Sequence, residues 1–223
     1  MGKLCVPIVE TSVERAHTAI KEADRLADLI ELRVDYLRGG DLGLLLGNRQ
    51  KPLIVTNRRK EEGGRCRDEE RKRLSVLEKA IDLGADYIDV ELATEASFLK
   101  NLIRNKGKTQ VILSFHDFRR TPSLRELQKL FIRMIGLGAN VIKIVPFAES
   151  WEDNLNVLSL IPFARERRQK IVAFCMGEKG KISRVISPLL GAAWTYASLN
   201  KNRNSAPGQL TAQELTEIWK KMK

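Results

Sequence analysis

Eight short apolar runs, separated by amphipathic stretches, recur at intervals of two to three dozen residues along this chain. They are "LCVPIV" (4–9), "LIELRV" (29–34), "PLIVTN" (52–57), "YIDVEL" (87–92), "VILSFH" (111–116), "VIKIVP" (141–146), "IVAFCM" (171–176) and "AWTYAS" (193–198). Each has the length and near-continuous apolar character of a strand buried on both faces. The stretches between them, among them "SVERAHTAIKEAD" and "SLRELQKLFIRMIGLG", space their apolar residues as helices do. Strand and helix in alternation imply a parallel sheet. Eight such units predict an α/β fold, a (β/α)8 barrel at the small end of its size range, as a single domain over residues 1–223. An open doubly wound sheet is the alternative. No G-x-G-x-x-G follows the first run, so the dinucleotide-binding form of that sheet has no support.

With 43% of its 223 residues hydrophobic, the chain can bury a full core. No apolar run approaches the roughly 18 residues of a membrane span, and no membrane partner is expected. The N-terminal "MGKLCVPIVE" lacks the cleavage site of a signal peptide, and Val6 breaks the myristoylation pattern. A cytoplasmic location is the expectation. Cys5, Cys66 and Cys175 are widely spaced, as reduced thiols are. With His17 and His116 as the two histidines, no metal site is expected. The net charge of +11 invites a nucleic-acid reading. Yet the longest basic cluster, "NRRKEEGGRCRDEERKRL", is interleaved with acids, and no zinc-finger, RNP or helix-turn-helix pattern accompanies it. A solvated basic surface with a bias towards small anions, and without a nucleic-acid partner, is expected.

In such a barrel the active site lies at the C-terminal ends of the strands. Residues two apart in a strand share a face. Glu31 pairs in this way with Arg33, Thr56 with Arg58, Asp89 with Glu91, and Ser114 with His116. Lys143 lies in the sixth run, Met176 closes the seventh, Arg184 follows it, and Ser205 and Gln209 follow the eighth. One such residue is commonly a cap or a satisfied core group. Seven strands converging with different chemistries describe a polar pocket. Lys143 shares a face with Val141 and Val145, and an unpaired buried charge is costly. It is either a strand-end lysine paired with an acid or an amine nucleophile for a carbonyl. Nearby cations and desolvation both favour the neutral amine. His116 can shuttle protons beside it, and a carboxylate on its other ring nitrogen would fix its tautomer, with Glu62 a candidate. Arginines bind a substrate carboxylate through paired hydrogen bonds. Asp89 and Glu91 read as structural or supporting groups.

These residues fall in motifs that resemble the type I 3-dehydroquinate dehydratase family, the Schiff-base enzymes of the shikimate pathway. The motifs are "ELRVD" (31–35), "TNRRKEEGGR" (56–65), "SFHDF" (114–118), "IKIV" (142–145), "MGEKGKISR" (176–184) and "SAPGQ" (205–209). The resemblance spans nearly the whole chain. It implies dehydration of 3-dehydroquinate to 3-dehydroshikimate without metal or added cofactor, and it tilts toward a homodimer. It implies that Lys143 forms an imine with the substrate ketone, that His116 is the general acid/base and that Glu62 orients it. It further implies that Glu31, Arg33 and Arg58 bind ring hydroxyls and that Arg184 binds the carboxylate. Ser205 and Gln209 match a mobile loop that closes over the substrate, and Met176 matches an apolar wall. Glu61 adjoins Glu62; the following "GG" favours Glu62 as the histidine partner. The chain departs from the family pattern at Phe174, at Cys175 and in a longer loop before Ser205, which bears on the pocket lining and loop kinetics. Another lysine-imine barrel enzyme, an aldolase acting on a small keto sugar phosphate, is the rival reading. It requires a phosphate cradle after the seventh and eighth strands, where the sequence offers no Gly-rich amide nest.

Overall fold

The computed structural model describes residues 2–47 and 49–222. Eight parallel strands form its centre: β1 Leu4–Ile8, β2 Leu29–Arg33, β3 Leu53–Thr56, β4 Tyr87–Glu91, β5 Gln110–Asp117, β6 Val141–Pro146, β7 Lys170–Ala173 and β8 Thr195–Tyr196. Their order is β7-β6-β5-β4-β3-β2-β1-β8, so each strand neighbours its successor and β8 returns to β1. The seam between β7 and β8 is bridged by the Ala193 N–H, which donates to the Ile171 carbonyl at 2.7 Å. The fold is the (β/α)8 barrel expected from the alternating pattern.

Helices α1 Val13–Ala23, α2 Leu42–Gly47, α3 Glu70–Asp82, α4 Ala96–Asn105, α5 Leu124–Gly136, α6 Asp153–Leu158, α7 Leu160–Glu166, α8 Lys181–Ile186 and α9 Ala212–Lys221 surround the strands. Their starts are written locally. In α5 the Ser123 side chain accepts from the Glu126 N–H while Glu126 accepts from the Ser123 N–H, a reciprocal cap. Leu127, Phe131 and Met134 then recur at helical spacing and are buried. Thr211 and Glu214 cap α9 in the same way, and Trp219 anchors that helix by donating to the Val185 carbonyl at 2.9 Å. After β6 there are two short helices in place of one. Pro162 cannot donate to residue 158 and its ring crowds that carbonyl, so α6 ends at Leu158 and α7 restarts.

Alternation along the strands sorts the interior. Ile30 and Leu32 of β2, and Ile142 and Ile144 of β6, face the helices and join the outer core. Leu29, Ile54, Ile112, Val141, Val172 and Trp194 fill the inside of the barrel. Above them, still inside, lie Glu31, Thr56, Asp89, Ser114 and Lys143, none more than 5% exposed. Two strand ends differ from the sequence expectation. The seventh run leaves the ladder after Ala173, because the Cys175 N–H donates to the Ser183 hydroxyl at 2.8 Å. The eighth is two residues long, because Ser198 turns to pair with Leu210 and Thr211 ahead of α9. Among the described residues no helix is long and apolar enough to cross a membrane.

Candidate active site

Lys143 stands on β6 with its ammonium inside the barrel. It donates to Asp89 of β4 at 2.9 Å and to Glu31 of β2 at 3.4 Å. Its Nζ also lies 4.3 Å from the ring centroid of Tyr196. The groups against it are therefore carboxylates and a ring, where the sequence reading placed cations. Those cations lie one carboxylate further out. Arg58 pairs with Asp89 at 2.8 Å and Glu91 at 3.0 Å, and donates to the Ser114 hydroxyl at 2.8 Å. Arg73 of α3 reaches Glu91 at 2.7 Å, the Asn57 carbonyl at 2.7 Å and Glu70 at 2.8 Å. Lys143, Arg58 and Arg73 thus alternate with Glu31, Asp89 and Glu91 in one buried cluster. Burial of such ions is tolerable only where each is paired and hydrogen-bonded. Burial would raise the Asp89 carboxyl, but Arg58 and Lys143 outweigh it and hold that group far below its ordinary range.

His116 ends the inward face of β5. Its Nδ1 lies 2.9 Å from Glu62 Oε2, and its backbone N–H donates to the same oxygen at 3.2 Å. The turn that carries Glu62 requires the two glycines after it. Gly63 is at φ +77°, and a Cβ on Gly64 would lie 2.0 Å from the Arg58 carbonyl oxygen. Glu61 points the other way, 71% exposed and paired with Arg59. The carboxylate against the histidine is Glu62, as the "GG" suggested. Burial pushes the Glu62 carboxyl up to about 7. Burial, with Arg58 and Lys143 nearby, holds His116 well below its usual value near 6.5. A neutral imidazole with Nδ1–H directed at Glu62 leaves Nε2 as a proton acceptor.

Arg184, on α8, is 1% exposed. Its guanidinium lies 4.5 Å over the Phe174 ring and donates from Nη2 to the Pro207 carbonyl at 3.2 Å. Among the described residues its Nε has no partner and no carboxylate is within ion-pair reach. Burial lowers its pKa to about 10. A desolvated guanidinium without a counter-ion is a receptor for an anion. Beside it, Gln209 accepts from the Ser205 N–H at 2.9 Å and hydroxyl at 3.2 Å, while the Gln209 amide nitrogen is buried without a partner among the described residues. This loop is seated on the turn after β7, where the Gly177 N–H donates to the Pro207 carbonyl at 3.2 Å. Across the cavity Arg33 is held by both oxygens of Asp35, at 2.8 Å each.

One cavity is lined by Lys143, His116, Glu62, Glu31, Arg33, Arg58, Arg184, Ser205, Gln209 and Met176, the ten residues picked out from the sequence. Tyr196, Phe174, Phe118, Val145, Gly63 and Ala206 complete its wall. Sequence reasoning missed Tyr196, which lies in a run read as a strand with no polar signal. It also placed Asp89 among supporting groups, although Asp89 hydrogen-bonds Lys143 directly. The two-residue spacing of Asp89 and Glu91 was the signal available. Among the described residues no group of three or more His, Cys, Asp and Glu is arranged to hold a metal ion.

Residues 4–223 match the model of the family described as Type I 3-dehydroquinase. The chain is 35% identical over 223 residues to the 3-dehydroquinate dehydratase of Methanocaldococcus jannaschii, covering 98% of each protein. It is 38% identical over 213 residues to that of Pyrococcus abyssi, covering 96% of this chain and 95% of the relative. The crystal structure of 3-dehydroquinate dehydratase from Geobacillus kaustophilus superposes with a TM-score of 0.91 at 25% identity, over 100% of this chain and 91% of that one. A match that runs from β1 through α9, with relatives alike across almost their full length, means that the chain belongs to the type I 3-dehydroquinase family.

Proposed function

We propose that this protein dehydrates 3-dehydroquinate to 3-dehydroshikimate in the shikimate pathway, through an imine on Lys143. The observation that carries the reading is a single cavity holding a buried lysine amine, a His116–Glu62 pair and an arginine without a counter-ion. The substrate has a ketone, a β-hydroxyl and a carboxylate, one for each of these groups. His116 takes one proton from the Lys143 ammonium and returns it to the departing oxygen, and the neutral nitrogen bonds the ketone carbon. Two of the ammonium protons leave with the ketone oxygen as water, and the iminium keeps the third and the positive charge. The cationic C=N is an electron sink, so the adjacent carbon acid can be deprotonated near neutral pH. His116 Nε2 takes that proton and an enamine forms. The enamine electrons expel the β-hydroxyl, which leaves as water with a proton returned by His116. Hydrolysis of the conjugated iminium frees the enone product and the amine. Arg184 holds the substrate carboxylate, Glu31, Arg33 and Arg58 meet the ring hydroxyls, and Met176 and Phe174 are the apolar wall. Ser205 and Gln209 close over the substrate and exclude water from the imine.

Mass spectrometry after mixing the protein with 3-dehydroquinate and borohydride tests this. A reduced adduct on the peptide containing Lys143, together with enone formation, is the expected result. An aldol-cleavage activity with no enone would favour the aldolase reading instead. The family resemblance supports a homodimer, to be checked by sedimentation. A cytoplasmic setting would keep the three free thiols reduced; oxidised thiols in the protein isolated from cells would argue against it.

Two further results follow from the charges. As pH falls through about 7, Glu62 takes up a proton and no longer supports the imidazole as a charged acceptor. The turnover rate should therefore fall on the acid side with a midpoint near 7. Glu62→Gln should erase that limb and lower kcat by about tenfold or more. A limb that survives in the variant would assign it to another group. Arg184→Met should raise KM by roughly 10- to 100-fold, the worth of charge-assisted hydrogen bonds, with a smaller change in kcat. The same variant should melt at a higher temperature without substrate, since it replaces an unpaired buried charge with a packed side chain. An unchanged KM would remove Arg184 from carboxylate binding.

A further inference from the structure

We propose that Tyr196 is a further catalytic residue, its ring face serving as the contact that stabilises the nitrogen at position 143 in the iminium states of the reaction. The inference rests on Lys143 being the nucleophile. Tyr196 is the inward member of the two-residue strand β8, level with Cys5 of β1, and is 4% exposed. The 4.3 Å between Lys143 Nζ and its ring centroid is well inside the roughly 6 Å at which a cation is drawn to an aromatic face. The Tyr196 ring also packs against Phe174 with centroids 6.0 Å apart, and Arg184 lies over Phe174. The cavity therefore has an aromatic shelf of two touching rings, each under one cation.

The proton count at nitrogen explains why a ring is useful there. A lysine ammonium has three N–H donors and satisfies Asp89 and Glu31 together. An iminium has one. The ammonium and the iminium carry the same charge, but the iminium has two fewer donors, so one carboxylate contact must go. The attraction to a ring face needs charge and no N–H, so the iminium keeps it although it has lost donors. In a desolvated site such contacts are at the strong end of their range. Burial and the nearby Glu31 carboxylate hold the phenol well above its ordinary pKa, so the ring is neutral when the amine reacts. Among the described residues the hydroxyl has no partner in good hydrogen-bond geometry, which leaves the ring face as what this residue offers the site.

The test compares Tyr196→Phe, Tyr196→Leu and a series with progressively fluorinated phenylalanine at position 196, each read by kcat, KM and the rate of the borohydride-trapped adduct. Fluorination withdraws charge from the ring face with little change of shape, so it keeps the test informative if the leucine variant folds poorly. Tyr196→Phe should stay within roughly threefold of the unsubstituted protein. Tyr196→Leu should lose about tenfold in kcat and in adduct formation, with KM less affected. The fluorinated series should fall stepwise. A flat series, with adduct formed normally by the unsubstituted protein, overturns the role of Tyr196 alone. Absence of any adduct on Lys143 in the unsubstituted protein overturns the nucleophile assignment and this inference with it.

Discussion

Lys143→Ala will form no borohydride-trapped adduct with 3-dehydroquinate, and its turnover will fall by roughly 10⁵- to 10⁶-fold, as when a covalent nucleophile is removed from an enzyme. Alanine leaves the proton-transfer pair and the anion receptor in place but provides no electron sink. Without the iminium, His116 faces a ketone whose α-proton is too weakly acidic for an imidazole to remove quickly. The loss is not a folding artefact in disguise. Breaking a buried ion pair can cost about 3–5 kcal/mol when it strands a charge. Here Asp89 keeps Arg58 at 2.8 Å, and Glu31 keeps the Thr56 hydroxyl at 2.9 Å. The structural cost should be well below that range. Lys143→Met, which restores volume, should melt higher than the alanine variant and be equally inactive. Near-normal turnover in either variant would sink the mechanism and return Lys143 to the role of a paired strand residue.

His116→Ala behaves differently, and the contrast separates the two roles. Its turnover should fall by about 10²- to 10⁴-fold, the usual contribution of a positioned acid/base. Imine formation should slow without being abolished, because the bond to carbon is made by Lys143. With deprotonation blocked, the imine should persist, so borohydride should trap an adduct that retains the β-hydroxyl. Added imidazole should recover part of the rate if the vacated space admits it. A variant that neither traps an adduct nor unfolds would show that His116 is needed earlier than proposed. A variant with normal turnover would leave the proton transfer to another group.

The residues that carry these expectations were legible in the sequence to unequal degrees. Glu31, Arg33, His116 and Lys143 were found because polar residues at period-two positions interrupt strands that otherwise read as buried. Arg184, Ser205, Gln209 and Met176 had weaker local signals and depended on motif resemblance. Glu62 was separable from Glu61 only through the turn, where Gly63 and Gly64 let the chain fold back on Arg58. Tyr196 had no signal, since an aromatic residue in a strand reads as core. Asp89 was visible as an inward acid, but its partner was not. It meets Lys143 from 54 residues away, across β5.

The sequence by itself determined the strands, the faces they turn inward and the barrel class. These depend on side-chain alternation and apolar periodicity, which are properties of neighbouring residues. Only the tertiary structure decided which charge meets which. The stagger between strands brings Asp89, Lys143 and Tyr196 to one level, and barrel closure sets α8 and its Arg184 over Phe174 with no acid in reach. An ion's partner is fixed by distances across the barrel, and residues far apart along the chain set those distances only once the sheet has closed.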